Sequence, residues 1–193
     1  MNKTVKKNLI EFGVFGGIIL VLYLTGLHTE VFGFMQRGIL KTGLLNPDVG
    51  IDDGTTTYPE ADFRLRLVSS KGEKVNMENF RGKVIFLNLW ATWCPPCIAE
   101  MPGINQLYGE LKNEEIVFLM LSLDKDFEKA IKYKEKKNFG FEIYSLDGGI
   151  PPMYNSQSIP TTYVIDAEGK LVLTHEGMAD YSDGEFKDFL LGL

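Results

Sequence analysis

Leu89-Trp90-Ala91-Thr92-Trp93-Cys94-Pro95-Pro96-Cys97 holds the only two cysteines of this 193-residue chain, spaced Cys-x-x-Cys. An apolar run from Val84 to Trp90 leads into it. Beyond it, Ile98, Met101, Ile104, Leu107, Tyr108 and Leu111 recur at helical spacing. A strand that hands two cysteines to the first turn of a helix is what thiol–disulfide chemistry needs. The helix N-terminus favours a thiolate, and the second sulfur can displace whatever the first has captured. Cys94 is the candidate nucleophile, its sulfur expected to be exposed, and Cys97 the more buried resolving thiol. A purely structural bridge is the weaker reading, because closing a two-residue loop adds little stability. Zinc wants about four ligands. The histidines are only His28 and His175, so no metal is expected.

Pro95 and Pro96 take the first helical positions, where a missing N–H costs least. They put neither charge nor extra donors beside a Cys94 thiolate. The pair is therefore expected to be reducing, nearer roughly −270 mV than the roughly −120 mV of a strong oxidant. Pro102 falls inside the following helix and should kink it.

Working outward, 45% hydrophobic and 24% charged residues suit one globular domain with an appendage. The net charge of −6 is unevenly placed: residues up to Leu45 carry five Lys/Arg and two Asp/Glu, the remainder 15 and 24. An acidic domain without a basic stripe argues against nucleic acid. Lys132, Lys134, Lys136 and Lys137 fall on several helix faces beside Glu128 and Glu135, which reads as solvated surface.

Residues 1–28 read as a signal-anchor transmembrane helix. Lys3, Lys6 and Lys7 precede an uncharged run from Phe12 to Leu27, and the apolar stretch counted from Leu9 is broken only by Glu11. A cleaved signal peptide would want small residues that Tyr23 to Thr29 does not supply. The lysines favour a cytoplasmic N-terminus and an exported domain, where disulfides form. Residues 29–60 read as a membrane-proximal segment and tether. Val31 to Leu45 is either amphipathic, with Val31, Phe32, Met35 and Ile39 on one face, or a continuation of the anchor helix. Asn46 to Glu60 is a polar linker.

Residues 61–193 read as the folded domain. Phe63, Leu65 and Leu67 alternate with Arg64 and Arg66 as a half-buried strand, and Lys74 to Met77 pairs back. Val84–Trp90 and Ile116–Leu123 read as buried strands, Phe127–Asn138 as a helix, and Phe141–Leu146 as a short strand. Thr161–Ile165 and Lys170–Thr174 form a hairpin, and Asp183–Leu191 closes as a helix. The result is an α/β chain with a mixed sheet and helices on its faces.

Gly82-Lys83-Val84, Asn88 to Cys94, Glu100 and Pro102 after Cys97, and the late Ile159-Pro160-Thr161-Thr162 resemble, in that order, the TlpA/ResA group of the thioredoxin superfamily. The resemblance covers residues 61–193. It implies a thioredoxin-like fold behind an N-terminal transmembrane helix, on the extracytoplasmic side of the bacterial cytoplasmic membrane. It also implies a reductant of disulfides in exported proteins, working by dithiol–disulfide exchange with no cofactor beyond the redox-active Cys94–Cys97 disulfide. The partners implied are a disulfide-containing exported protein, a membrane electron-donor protein and the lipid bilayer. Cytochrome c maturation is the group's best-known use, and no residue here points to a haem-related client.

In that group an acidic residue at the position of Glu100 lies close to the cysteines, which makes Glu100 the proton partner of Cys97. By propensity alone it is equally a surface helix glutamate. Asn88 stands where thioredoxin itself has a buried aspartate, and an amide does not exchange protons. Pro160 resembles the cis-proline facing the cysteine pair, with Ile159 presenting a backbone edge to substrate; otherwise it merely opens a strand. Trp93, Pro95 and Pro96 complete the expected substrate surface. Residues 138–158 either shape substrate choice or are an inert excursion. The competing functions are an oxidase or isomerase on the same fold, a thiol peroxidase, a copper-delivery protein and a binding module without catalysis. Thr92, two residues before Cys94, is wrongly spaced for the peroxidase motif. Copper delivery would want wider cysteine spacing and a nearby histidine.

Overall fold

The computed structural model describes residues 3–25, 56–112 and 115–193, with 31, 33, 35, 36, 38, 40 and 47 between them. In chain order the elements are α1 (Lys3–Leu24), β1 (Arg66–Ser69), β2 (Lys74–Asn76), β3 (Val84–Trp90) and α2 (Pro95–Leu111). They continue with β4 (Ile116–Ser122), α3 (Phe127–Lys137), β5 (Ile143–Leu146), β6 (Thr161–Ile165), β7 (Leu171–Glu176) and α4 (Gly184–Leu191). The strands form one sheet in the order β2-β1-β5-β4-β3-β6-β7. Pairs β3/β4 and β4/β5 are parallel and the others antiparallel. This is the thioredoxin-like mixed sheet that the sequence predicts.

Every residue of β3 is buried, because neighbours flank both its edges and helices or loops cover both its faces. Its alternate residues divide the core in two. Val84, Phe86 and Trp90 pack with Ile98, Met101, Ile104, Tyr181 and Phe186 on one side. Ile85, Leu87 and Leu89 pack with Leu65, Leu67, Leu119, Leu121 and Tyr163 on the other.

Element boundaries differ from expectation where side chains compete with the backbone. Phe63, Leu65 and Leu67 are buried and Arg64 and Arg66 exposed, as the alternation requires, yet the strand begins only at Arg66. Asp62 accepts from Arg64 N at 3.0 Å and from its guanidinium at 2.9 and 2.5 Å, turning the chain at that point. The helix expected from Ile98 starts at Pro95 and runs on through Pro102. Asn138 ends α3 as its left-handed cap, with φ 53°.

The N-terminal expectation needs correcting. Lys3–Leu24 is a helix, but no helix among the described residues is long and apolar enough to cross a membrane. Its first turns carry Lys3, Lys6, Lys7 and Glu11. The uncharged part to Leu24 spans only about 20 Å at 1.5 Å per residue, against a hydrocarbon core of about 30 Å. The rest of the run, the 46–55 part of the tether except Pro47, and most of 31–45 lie outside the described residues. Of that segment, Val31 and Met35 are exposed while Gly33 and Leu40 are buried.

Candidate active site

Trp90 ends β3, and four residues later Cys94 caps α2 from an extended backbone, φ −99° and ψ 100°. Its sulfur accepts from Cys97 N–H at 3.2 Å. A first-turn amide thus already points at the atom that must carry negative charge after reduction, which is the electrostatic basis of a lowered thiol pKa. Here the two sulfurs are bonded to each other. The expected exposure of Cys94 is not met: the residue is only 4% accessible, and Cys97 is fully buried. Trp93 provides the open surface instead, at 58% exposure, while Pro95 and Pro96 are half-buried in the first turn.

Ile159–Pro160 is a cis peptide, and the Ile159 carbonyl oxygen lies 3.7 Å from Cys94 Sγ. The oxidised sulfur has no proton to give, so this is a contact that places the proline loop over the pair. Ser156 and Ser158 brace that loop. Thr161 Oγ1 donates to Ser158 O at 2.8 Å and also lies 2.9 Å from Ser156 Oγ. Ser158 Oγ donates to Glu176 on β7 at 3.3 Å. The stretch 138–158 is therefore tied to the site at its end, with Tyr154 buried in the core.

Glu100 is not a surface glutamate. It is 1% exposed and sits three residues beyond Cys97, on the same face of α2. Burial pushes its carboxyl up to about 8, against the pull of hydrogen bonds from Asn88 and Ala179 N–H. Asn88 Nδ2 donates to Glu100 Oε1 at 2.9 Å and to Thr162 Oγ1 at 3.0 Å. Ala179 N–H reaches Glu100 Oε2 at 3.4 Å, and Tyr181 Oη donates to Thr162 Oγ1 at 2.6 Å. Asn88 Oδ1 is buried without a partner, an omission that costs roughly 1–3 kcal/mol. Asn88 and Thr162 are paired in register across β3 and β6. His175 follows in the same row on β7, with burial holding its imidazole pKa down.

The structure brings Cys94, Cys97, Glu100, Ile159 and Pro160 together, with Trp93, Pro95 and Pro96 on the rim. It adds residues that the sequence reading missed. Asp124 takes Thr92 N–H at 2.9 Å, Thr92 Oγ1 at 2.6 Å and Ser122 Oγ at 2.9 Å, clamping the loop two residues before Cys94. One signal for it existed, since it follows the parallel strand beside β3, at the carboxyl edge where such sheets build sites. Tyr181 and Ala179 lie in an irregular stretch with no periodic signal. Among the described residues, no group of three or more His, Cys, Asp or Glu could hold a metal ion.

The model of the AhpC/TSA family matches residues 58–174. The chain belongs to that family. Thioredoxin-like protein YneN of Bacillus subtilis is 33% identical over 142 residues, covering 72% of this chain and 81% of that protein. A thiol-disulfide oxidoreductase ResA of Bacillus thuringiensis is 32% identical over 108 residues, 55% of this chain and 62% of its own length. Among solved structures, a Chlorobium tepidum protein assigned as a thiol:disulfide interchange protein, DsbE, superposes with TM-score 0.60 at 25% identity. That superposition covers 70% of this chain and 98% of that one. StoA of Bacillus subtilis, at TM-score 0.55 and 20% identity over 64% of this chain and 93% of its own, shares the fold. The family and fold expected from residues 61–193 are those found.

Proposed function

We propose that this chain is an extracytoplasmic thiol–disulfide oxidoreductase that reduces disulfides in exported proteins. The observation that carries the reading is the bonded Cys94–Cys97 pair at a helix N-terminus, under the cis Ile159–Pro160 carbonyl. In the dithiol state the Cys94 thiolate attacks one sulfur of a client disulfide. The client's other sulfur leaves and takes up a proton, and a mixed disulfide remains. Glu100 accepts the proton of Cys97, whose thiolate attacks Cys94 Sγ; the client's second sulfur leaves as a thiol. Two electrons pass to the client, and the Cys94–Cys97 bond re-forms. A membrane protein that carries reducing equivalents outward then restores the dithiol. Ile159 and Pro160 offer the backbone edge to an extended client segment, and Trp93, Pro95 and Pro96 line its path.

The chain is held at the membrane by its N-terminal run, Leu9 to Leu27. Support comes from α1, whose Phe12, Phe15, Ile18, Ile19, Leu20, Val21 and Leu24 are all more than half exposed. A helix that is apolar on every side is suited to lipid rather than to water. Lys3, Lys6 and Lys7 set its cytoplasmic end. Haem-related clients, as in cytochrome c maturation, are one case of this chemistry.

Thiol trapping tests the reading. Full-length Cys97→Ser, reduced and added to membranes with no oxidant, is expected to hold exported disulfide proteins covalently on Cys94. The wild-type pair is expected to equilibrate with glutathione on the reducing side. No captured protein, or a pair that oxidises glutathione, would favour the oxidase alternative.

A further inference from the structure

Glu100 is given a proton role above, and the following rests on that role. Such a group must be hydrogen-bonded both with and without its proton, and its surroundings are built to one side only. Ala179 N–H occupies Oε2, so an added proton sits on Oε1, which faces Asn88. Donor would then meet donor, Glu100 O–H against Asn88 N–H. A side-chain amide has a second face, because a half-turn about its last bond exchanges oxygen for nitrogen with little change of shape. Its oxygen is the atom now buried without a partner.

We propose that Asn88 is a positioning residue that turns its side-chain amide as Glu100 gains or loses its proton: nitrogen toward the carboxylate, oxygen toward the acid. Thr162 allows both settings. Its oxygen accepts from Tyr181 and from Asn88 Nδ2 in the first setting. Its own hydroxyl proton then turns to Asn88 Oδ1 in the second, where that oxygen takes two donors, Thr162 O–H and Glu100 O–H. Tyr181, donating to Thr162 throughout, leaves the Thr162 proton free for this. The amide thus keeps Glu100 paired on both sides of the proton transfer with Cys97, without carrying a proton itself. The titratable groups around Glu100 are Cys97 on α2, Tyr181 before α4 and His175 at the end of the same cross-strand row. Cys97 is disulfide-bonded in the oxidised chain, and Tyr181 keeps its proton well above the usual phenol range through burial.

The test is a titration by nuclear magnetic resonance of the oxidised full-length chain, from about pH 5 to about pH 10. Asparagine amides and glutamate carboxyls are isotope-labelled. Contacts between the Asn88 amide protons and the Thr162 methyl group should be present at the alkaline end and lost at the acid end. Their midpoint should be that of the Glu100 carboxyl, and Glu100→Gln should leave the Asn88 signals flat. Amide protons that keep the same neighbours while Glu100 titrates overturn the proposal, as does an Asn88 change that survives Glu100→Gln. A Glu100 carboxyl that never titrates overturns it together with the proton role of Glu100, and leaves dithiol exchange to be judged by trapping.

Discussion

Along β3, the side chains of Ile85, Leu87 and Leu89 enter a core made of aliphatic and aromatic neighbours. Val84, Phe86 and Trp90 enter the other core, and by alternation Asn88 stands among them. Both faces are sealed from water, yet only the second holds Asn88, Thr162 and Glu100, all buried. The apolar face needs no partners beyond close packing, and each side chain there adds stability by area removed from water. The polar face gives up that uniformity at one row, beneath the cysteine pair, where a carboxyl is kept short of solvent. Position on the strand decides nothing here, since Leu87 and Asn88 are adjacent. The difference is that one face stabilises the domain and the other holds a proton.

The largest effect expected from this contrast is on the apolar face. Leu87→Ala should cost about 2–5 kcal/mol in denaturant unfolding of the oxidised chain, equally at acid and alkaline pH. A strongly pH-dependent loss would mean that the two faces are coupled. Glu100→Gln comes next and has the opposite sign. Burial raises the folded Glu100 from its ordinary 4.5 to about 8, so between those values the folded chain binds more protons than the unfolded one. Stability that is fully present below about pH 4.5 is therefore lost as pH rises through about 8. The variant escapes that loss. It should match the parent near pH 4.5 and exceed it by a few kcal/mol at the alkaline end. Parallel stability curves for the two proteins would show that the carboxyl is not held neutral.

How much of this was legible follows from which signals are periodic. The seven residues of β3, the cysteine pair at the start of α2 and the β6–β7 hairpin were written in apolar runs and turn residues. Residues 61–193 could be placed on a fold from them. Glu100 could be singled out only by resemblance, because helical spacing puts it on the Cys97 face without saying that the face is sealed. Tyr181 and Ala179 were illegible, since their roles come from a chain crossing that no local pattern announces. The expected span over 1–28 ran ahead of the described helix, because a count of apolar residues ignores charged first turns. Asp124 fell between these cases. It is one acid after a buried strand, distinguished only by where parallel strands end.

Asp124 yields the smallest and most local of the expected effects, and it tests whether polar groups outside the buried row serve the same site. Its carboxylate holds Thr92 through both backbone N–H and hydroxyl, and Ser122 through its hydroxyl. All three contacts are half-buried, so water can replace part of what is lost. Asp124→Ala should cost about 1–2 kcal/mol of stability. The loop carrying Trp93 and Cys94 would then be held only by Cys94 N–H on Ala91 O, at 3.2 Å, and by the disulfide. On reduction even the disulfide goes, so the looser loop should matter most in the dithiol form. The second-order rate of client reduction should fall severalfold. The pH midpoint of Glu100 should stay where it is, since Asp124 lies outside the row of Asn88 and Thr162. Asp124→Asn keeps one acceptor oxygen for the Thr92 N–H and should recover most of the rate. A shifted Glu100 midpoint in Asp124→Ala would show that the rim and the buried row act as one network, and the contrast between the two faces of β3 would have to be redrawn around the whole carboxyl edge of the sheet.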